Sequence, residues 1–207
     1  MEQTVPVTSP GKLTLMLPKW IPAKHRVFGS IRALAGLTIT AHGETLPWER
    51  DSVDVFAFHV DVPAGVTELE VAFQFLSPTA ANQGREVVTP EMLNLQWWDM
   101  LLYPAGHYTR QIRIQPTVVL PPGWSAATAL DLARQDGNHF VYKTTTVDVL
   151  VDSPMFAGLH YRQEDLGHNV TLHLFADESS ELAATDEQID YHRALVDQSL
   201  KLFEGQH

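Results

Sequence analysis

Histidine, aspartate and serine are the residues through which this 207-residue chain could hold a metal or attack a substrate, and their spacing restricts both options. The ten histidines are His25, His42, His59, His107, His139, His160, His168, His173, His192 and His207. No two lie four apart, the spacing that sets a helical ligand pair on one face. The nearest pair, His168 and His173, falls in a stretch that reads as turn then strand, where an odd offset sends side chains to opposite faces. Zinc needs three or four convergent ligands, so these histidines read as surface or half-buried residues. The chain has no cysteine, which removes thiolate metal sites, disulfides and a cysteine nucleophile. Asp152 and Ser153 could serve acyl transfer together with a histidine. Ser153, however, precedes Pro154 in an extended or turn context and lacks the G-x-S-x-G elbow that presents a nucleophile. Asn169-Val170-Thr171 matches a glycosylation sequon and reads as strand entry.

Two further groups carry chemistry of binding. Asn94 and Gln96 alternate with Leu95, so on a strand both share a face with Trp98 and could offer amide groups to a peptide main chain or amino end; equally, they could satisfy neighbouring loop backbone. Trp97 and Trp98 are adjacent. On a strand one of them is core and the other faces solvent or a partner. A carbohydrate-binding sandwich would use Trp97 or Trp98 together with Trp20, Trp48 or Trp124.

The elements that must position these residues are read from punctuation and alternation. Hydrophobic residues make up 44% of the chain, enough for a packed core. Short apolar segments separated by Pro and Gly predict an antiparallel β protein. Strands are expected over Leu13 to Leu17, Gly36 to Ala41, Val53 to Val62 and Leu69 to Leu76, with Leu37, Ile39, Phe56, Phe58, Val60 and Val62 facing the core. Residues 77 to 90 read as loop, and the Asn82-Gln83-Gly84 centre predicts a mobile excursion. Beyond it, Ile112, Ile114 and Val118 share a face. Shorter strands are expected near Ala126 to Leu130, His139 to Tyr142, Val147 to Val151, Phe156 to Glu164 and Val170 to Phe175. Thr4 to Val7 reads as the close of a strand whose sheet edge is available for association.

Character changes at Thr185. Thr-x-x-Gln is a capping box, Asp186 and Glu187 suit the positive end of a helix dipole, and Gly205 is placed to end the helix. Ile189, His192, Leu195 or Val196, Ser199, Leu200 and Phe203 form one apolar stripe that requires a partner. The net charge of −11 argues against a nucleic-acid surface. No apolar run approaches the roughly 20 residues of a membrane helix. Met1-Glu2-Gln3-Thr4 lacks the basic and apolar regions of a signal peptide. The sequence therefore predicts a soluble chain and leaves its compartment open.

Three motifs in order add a family reading: Leu17-Pro18-Lys19-Trp20-Ile21-Pro22; Thr89 to Trp98 running on to Leu102-Tyr103-Pro104-Ala105-Gly106; and Leu150 to Gly158. Together they make the chain resemble the amino-terminal domain of the glycyl aminopeptidase family of zinc metallopeptidases, whose members carry a β-rich domain, a thermolysin-like catalytic domain and often a PDZ domain. The resemblance implies an antiparallel β-sandwich or saddle over residues 1–178 and the first helix of a truncated catalytic domain over 185–207. A helix packing back on the sandwich is the alternative. The family holds zinc with H-E-x-x-H and a downstream Glu in its catalytic domain; no histidine here precedes Glu in that pattern. The resemblance thus implies a non-catalytic domain that caps the active-site cleft and governs access of peptide substrate, with zinc and the catalytic domain supplied elsewhere in the polypeptide. On this reading Asn94, Gln96, Trp98 and Tyr103, with Asp152, Ser153, Pro154 and Met155 at an inter-domain seam, form a substrate or inter-domain surface. Self-association through an edge strand or the helix, and a stand-alone module binding protein or carbohydrate, are the other expectations.

Overall fold

The computed structural model describes residues 1–21, 25–78 and 87–203. The expected excursion at Asn82-Gln83-Gly84, the helix stop at Gly205 and Pro22 of the first motif lie outside them. Seven strands occupy the first part of the chain: β1 (Glu2–Pro6), β2 (Gly11–Met16), β3 (Leu34–Ala41), β4 (Glu44–Thr45), β5 (Trp48–Arg50), β6 (Ala57–Val62) and β7 (Glu68–Phe75). They form two four-stranded antiparallel sheets, ordered β1-β7-β3-β4 and β10-β2-β6-β5, where β10 is Tyr103–Pro104. Period-two alternation decides which side chains go inward. Leu37 and Ile39 of β3, Leu69, Val71 and Phe73 of β7, Leu15 of β2 and Phe58, Val60 and Val62 of β6 meet in one buried cluster between the sheets.

The expected strand from Val53 begins only at Ala57. Asp51 accepts hydrogen bonds from the main-chain N–H groups of Val53 (2.8 Å) and Asp54 (2.7 Å), an Asx turn that keeps Val53 and Val55 exposed while Phe56 is already buried.

The second part comprises β8 (Val87–Val88), β9 (Met92–Leu95), β10, β11 (Arg113–Ile114), β12 (Thr117–Val119), β13 (Ser125–Thr128), β14 (Leu132–Asp136), β15 (His139–Tyr142), β16 (Thr145–Thr146) and β17 (Met155–Gly158). The central sheet here is ordered β13-β17-β9-β8, and a three-stranded sheet β12-β15-β14 lies beside it in sequence. Trp97, Leu120, Phe140, Tyr142, Leu150, Met155 and Ala157 build a second core, onto which Ile112, Ile114 and Val118 pack as their shared face requires.

Two expectations fail in this part. Val147–Val151 is a helix, α1, not a strand. Thr146 caps it by accepting from the Val149 N–H, and Val147 and Leu150, three apart, are buried while Val149 is half exposed, a helical period that a run of β-branched residues concealed. Trp97–Asp99 is a single 3₁₀ turn, and both tryptophans are buried, at 7% and 8% exposure. Because a turn, unlike a strand, does not alternate faces, neither ring is left for solvent. β14 went unforeseen because all five of its side chains are exposed and leave no alternation to read.

The chain ends in β18 (His160–Asp165), β19 (Thr171–Ala176) and α2 (Asp186–Phe203). The β18–β19 hairpin turns through His168 and Asn169, both at positive φ, so the sequon asparagine occupies the turn itself rather than strand entry. The Thr185–Gln188 capping box is present in both directions, at 2.9 Å and 3.2 Å. Of the expected stripe on α2, Ile189 is buried and Val196, Ser199 and Leu200 are half-buried, whereas His192, Leu195 and Phe203 are exposed. Among the described residues no helix is long and apolar enough to cross a membrane.

Candidate functional site

A glycine bend shapes a concave surface beside the third motif. β17 and β18 run almost end to end, broken at Gly158–Leu159, and a Cβ on Gly158 would stand 2.9 Å from the Glu91 carbonyl oxygen and 3.0 Å from Met92 Cβ. Only glycine lets β9 approach this closely at the bend. The bend brings the hairpin over the outer face of the β13–β17–β9 sheet. On that face Phe156 stands opposite Ala127 on one neighbour and Asn94 on the other. On the hairpin, Tyr161 pairs with Phe175 and Gln163 with His173, placing all four on one face.

These rings form a continuous row. Phe156 and Phe175 centroids are 6.4 Å apart at 19°, Phe175 and Tyr161 are 5.0 Å apart, and Tyr161 and His173 are 5.9 Å apart at 15°. The Tyr161 hydroxyl also bonds His173 Nδ1 and Gln163 Oε1, each at 2.8 Å. Partial burial pushes the Tyr161 phenol above its ordinary range. Between sheet and hairpin lies a groove of about 470 Å³ bordered by Ala127, Thr128, Pro154, Thr171, His173 and Phe175 among others. The opposite face of the hairpin carries Leu172 and Leu174, which with Ile189 line a smaller hollow under α2. The Arg193 guanidinium bonds the Asp165 carbonyl, and His168 meets Asp197 at 3.1 Å, holding α2 to the hairpin.

The second and third motifs are strand neighbours. β9 pairs antiparallel with β17, with Leu95 opposite Met155 and Asn94 opposite Phe156. The end of the second motif, β10, pairs with β2, which leads directly into the first motif, with Tyr103 opposite Met16. Of the residues singled out from sequence, Gln96, Trp98, Ser153 and Met155 are buried in this chain, Asn94 and Tyr103 are half-buried, and Asp152 and Pro154 are exposed. Gln96 donates to Asn94 Oδ1 at 2.8 Å, so the two amides support one another rather than both facing outward with Trp98. Ser153 donates its hydroxyl to the Val149 carbonyl at 2.8 Å and closes α1, which is a structural use of the hydroxyl. Burial is the chief cause that raises the Tyr103 phenol, with Lys19 opposing and Asp54 reinforcing the shift. Lys19 and Asp54 form an ion pair beneath it. The residues that sequence reading missed are Phe156, Tyr161, His173 and Phe175; the alternation of His173 and Phe175 on β19 was the available signal, whereas Phe156, on β17, is an odd five residues from Tyr161 on β18.

One more polar chain lies away from the groove. The His59 ring bridges Asp51 Oδ2 and Thr14 Oγ1, each at 2.9 Å. The Asp54 N–H, then the His59 ring and the Val53 N–H, hold the Asp51 carboxyl down at about 2.

Fold and surface define the class first: a mainly β protein of antiparallel sheets followed by one long helix, with an aromatic groove at the bend between them. The particular family follows from the sequence as a whole. A model of the peptidase M61 N-terminal domain matches residues 1–159, and the chain belongs to that family, as the three motifs led one to expect. A crystal structure of an aminopeptidase N family protein from Idiomarina loihiensis is similar in fold, with a TM-score of 0.79 at 18% identity over 98% of this chain. The chain spans 34% of that protein's length. No curated protein matches it.

Proposed function

We propose that this chain is the non-catalytic amino-terminal domain of a glycyl aminopeptidase-like metallopeptidase, capping one side of the active-site cleft and limiting access to peptide substrates. The observation that carries this reading is the family match over most of the chain, joined to a fold shared with about a third of an aminopeptidase N family protein. Zinc, in this reading, belongs to the following catalytic domain: among the described residues no three His, Asp or Glu side chains converge as a metal would need. No step through zinc is therefore assigned to these residues. Asn94, Tyr103, Asp152 and Pro154, which reach the surface, are proposed as the face toward cleft and catalytic domain, with Gln96, Trp98, Ser153 and Met155 holding that face in place. The outward side chains Leu195, Leu202 and Phe203 of α2, all more than half exposed, support a neighbour packed against this helix.

The test is hydrolysis of glycyl- and alanyl-p-nitroanilide. The purified chain with added zinc is expected to bind no stoichiometric metal and to give no turnover. Mixed with a separately produced catalytic domain of the family, it is expected to lower that domain's KM for short glycyl peptides and to raise it for longer ones. Chelator-sensitive turnover by the chain alone would overturn the reading.

The second reading, a stand-alone binding module, is favoured by the aromatic groove. Of the tryptophans first considered for carbohydrate, Trp97 and Trp98 are buried, Trp48 packs edge-on against Phe58 while bonding the Leu37 carbonyl, and Trp124 packs on the second core; Trp20 is 65% exposed but does not border this groove.

A further inference from the structure

The groove between the outer face of the β13–β17 pair and the β18–β19 hairpin shares Pro154 with the face proposed for the cleft and otherwise draws on residues the capping role does not use. Its border includes three consecutive residues, Ala127, Thr128 and Ala129. Ala129 lies just past the end of β13, and within the strand side chains alternate between faces; Thr128, opposite buried Met155 and with its hydroxyl on the Ser153 carbonyl, therefore borders this space with its main chain. β13 is terminal in its sheet and pairs with β17 on one side alone. In an antiparallel ladder every second residue turns its N–H and C=O away from the partner strand. Among the described residues, 125–129 make no main-chain to main-chain hydrogen bond outside that ladder. An unpaired strand edge therefore borders open space of about 470 Å³.

The far side of that space supplies the second half of a recognition surface. Phe156, 40% exposed, and Phe175 present neighbouring, nearly parallel rings. Thr171, Asn169 and His173 add polar groups, and among the described residues no Lys, Arg, Asp or Glu borders the groove although the chain carries a net charge of −11.

We propose that this groove is a peptide-binding site that takes an extended, uncharged segment as an additional strand on β13, with an apolar side chain of the ligand against Phe156 and Phe175. Each feature selects part of that ligand. The open edge selects a main chain at strand spacing, the mode in which peptides add to sheets. The two rings select an apolar side chain at alternate positions. A border without Lys, Arg, Asp or Glu selects against those residues in the segment, because desolvating a charge there costs free energy. A sugar would use the rings and leave the strand edge without a role, which is why peptide is the occupant that both halves fit. The site is independent of the peptidase reading: it states where a peptide lies, whatever cleaves it.

The experiment is a titration of the ¹⁵N-labelled 207-residue chain with the blocked peptide acetyl-Thr-Val-Thr-Phe-Thr-Val-amide, followed by amide chemical shifts. Saturable shifts are expected at the amides of residues 125–129 and at Phe156, His173 and Phe175. Two analogues methylated on alternate main-chain nitrogens leave every side chain of the ligand in place. One of the two, whose methyl groups face β13, is expected to bind at least about tenfold more weakly than the parent. Phe156→Ala and Phe175→Ala, with unchanged far-UV spectra, are each expected to weaken binding about tenfold. The proposal is overturned if no shifts arise at millimolar peptide, if they fall on β1 or α2 instead, if both methylated analogues bind as well as the parent, or if cellohexaose moves the same amides at lower concentration than the peptide.

Discussion

Asp51 illustrates how much one side chain can fix on this molecule. Its carboxylate accepts two main-chain N–H groups and contacts the His59 ring, which keeps it ionised down to about pH 2 against an ordinary value of 3.8. A folded-state pKa below the unfolded value contributes stability that is present above the unfolded pKa and is lost as pH falls through the folded one. The window for Asp51 is thus pH 4 down to 2. Urea midpoints measured across that window should fall less steeply for Asp51→Asn than for the parent chain; an identical slope would show that this carboxylate does not set the acid response. Residues of this kind are half legible in sequence. Asp-Ser-Val-Asp reads as a turn, but the extended alternation of Val53, Val55 and Ala57 reads as strand. Only the observed hydrogen bonds decide between them. The same holds at Ser153, whose hydroxyl suggests a nucleophile until its bond to the Val149 carbonyl gives it a structural use.

Elements held by many buried positions were legible, and those held by few were not. β3, β6 and β7 each bury three or more side chains in alternation, so their faces follow directly from the residue pattern. α1 has five residues and two buried ones, too short for a helical period to outweigh β-branched composition. α2 was legible in its cap and length, whereas its single expected stripe divides into a docked side and an open one. The docked side centres on Ile189, at 4% exposure, while Leu202 and Phe203 stand at 74% and 76%. Ile189→Ala is therefore expected to cost about 2–5 kcal/mol locally and to lower amide protection along α2. Leu202→Lys should change stability by less than about 0.5 kcal/mol. Hydrogen exchange of the α2 amides measures both, and a large loss in Leu202→Lys would mean that the open side is packed after all.

At the scale of the whole molecule the question is whether two cores make one cooperative unit. The first core is filled from residues 5–73 with Leu102, the second from residues between Trp97 and Ala157, so the chain between 97 and 104 serves both. Gln3 binds Leu102 in both directions, at 2.6 Å and 2.9 Å, and β10 pairs with β2, so the linking segment is tied into the first sheet pair. Coupled unfolding is the expected outcome. Leu69→Ala, in the first core, should lower stability by about 2–5 kcal/mol and reduce protection of the Val141 and Ala157 amides in the second by the same amount. Unchanged protection there would mean that the cores open separately.

Composition, alternation and three motifs were enough to determine a mainly β chain, a capped final helix and membership of a peptidase family, because these depend on local periodicity and on residue identities that can be read in order. The groove was beyond their reach. Phe156 and Phe175 are far apart in sequence, on either side of a hairpin turn; they face one another only because Gly158 bends the strand, and that close approach is set by the neighbouring β9. Burial of both Trp97 and Trp98 likewise depends on a single 3₁₀ turn entering the second core. Which faces of a strand end up opposite each other is fixed by bends and packing between distant segments, and that information resides in the tertiary structure alone.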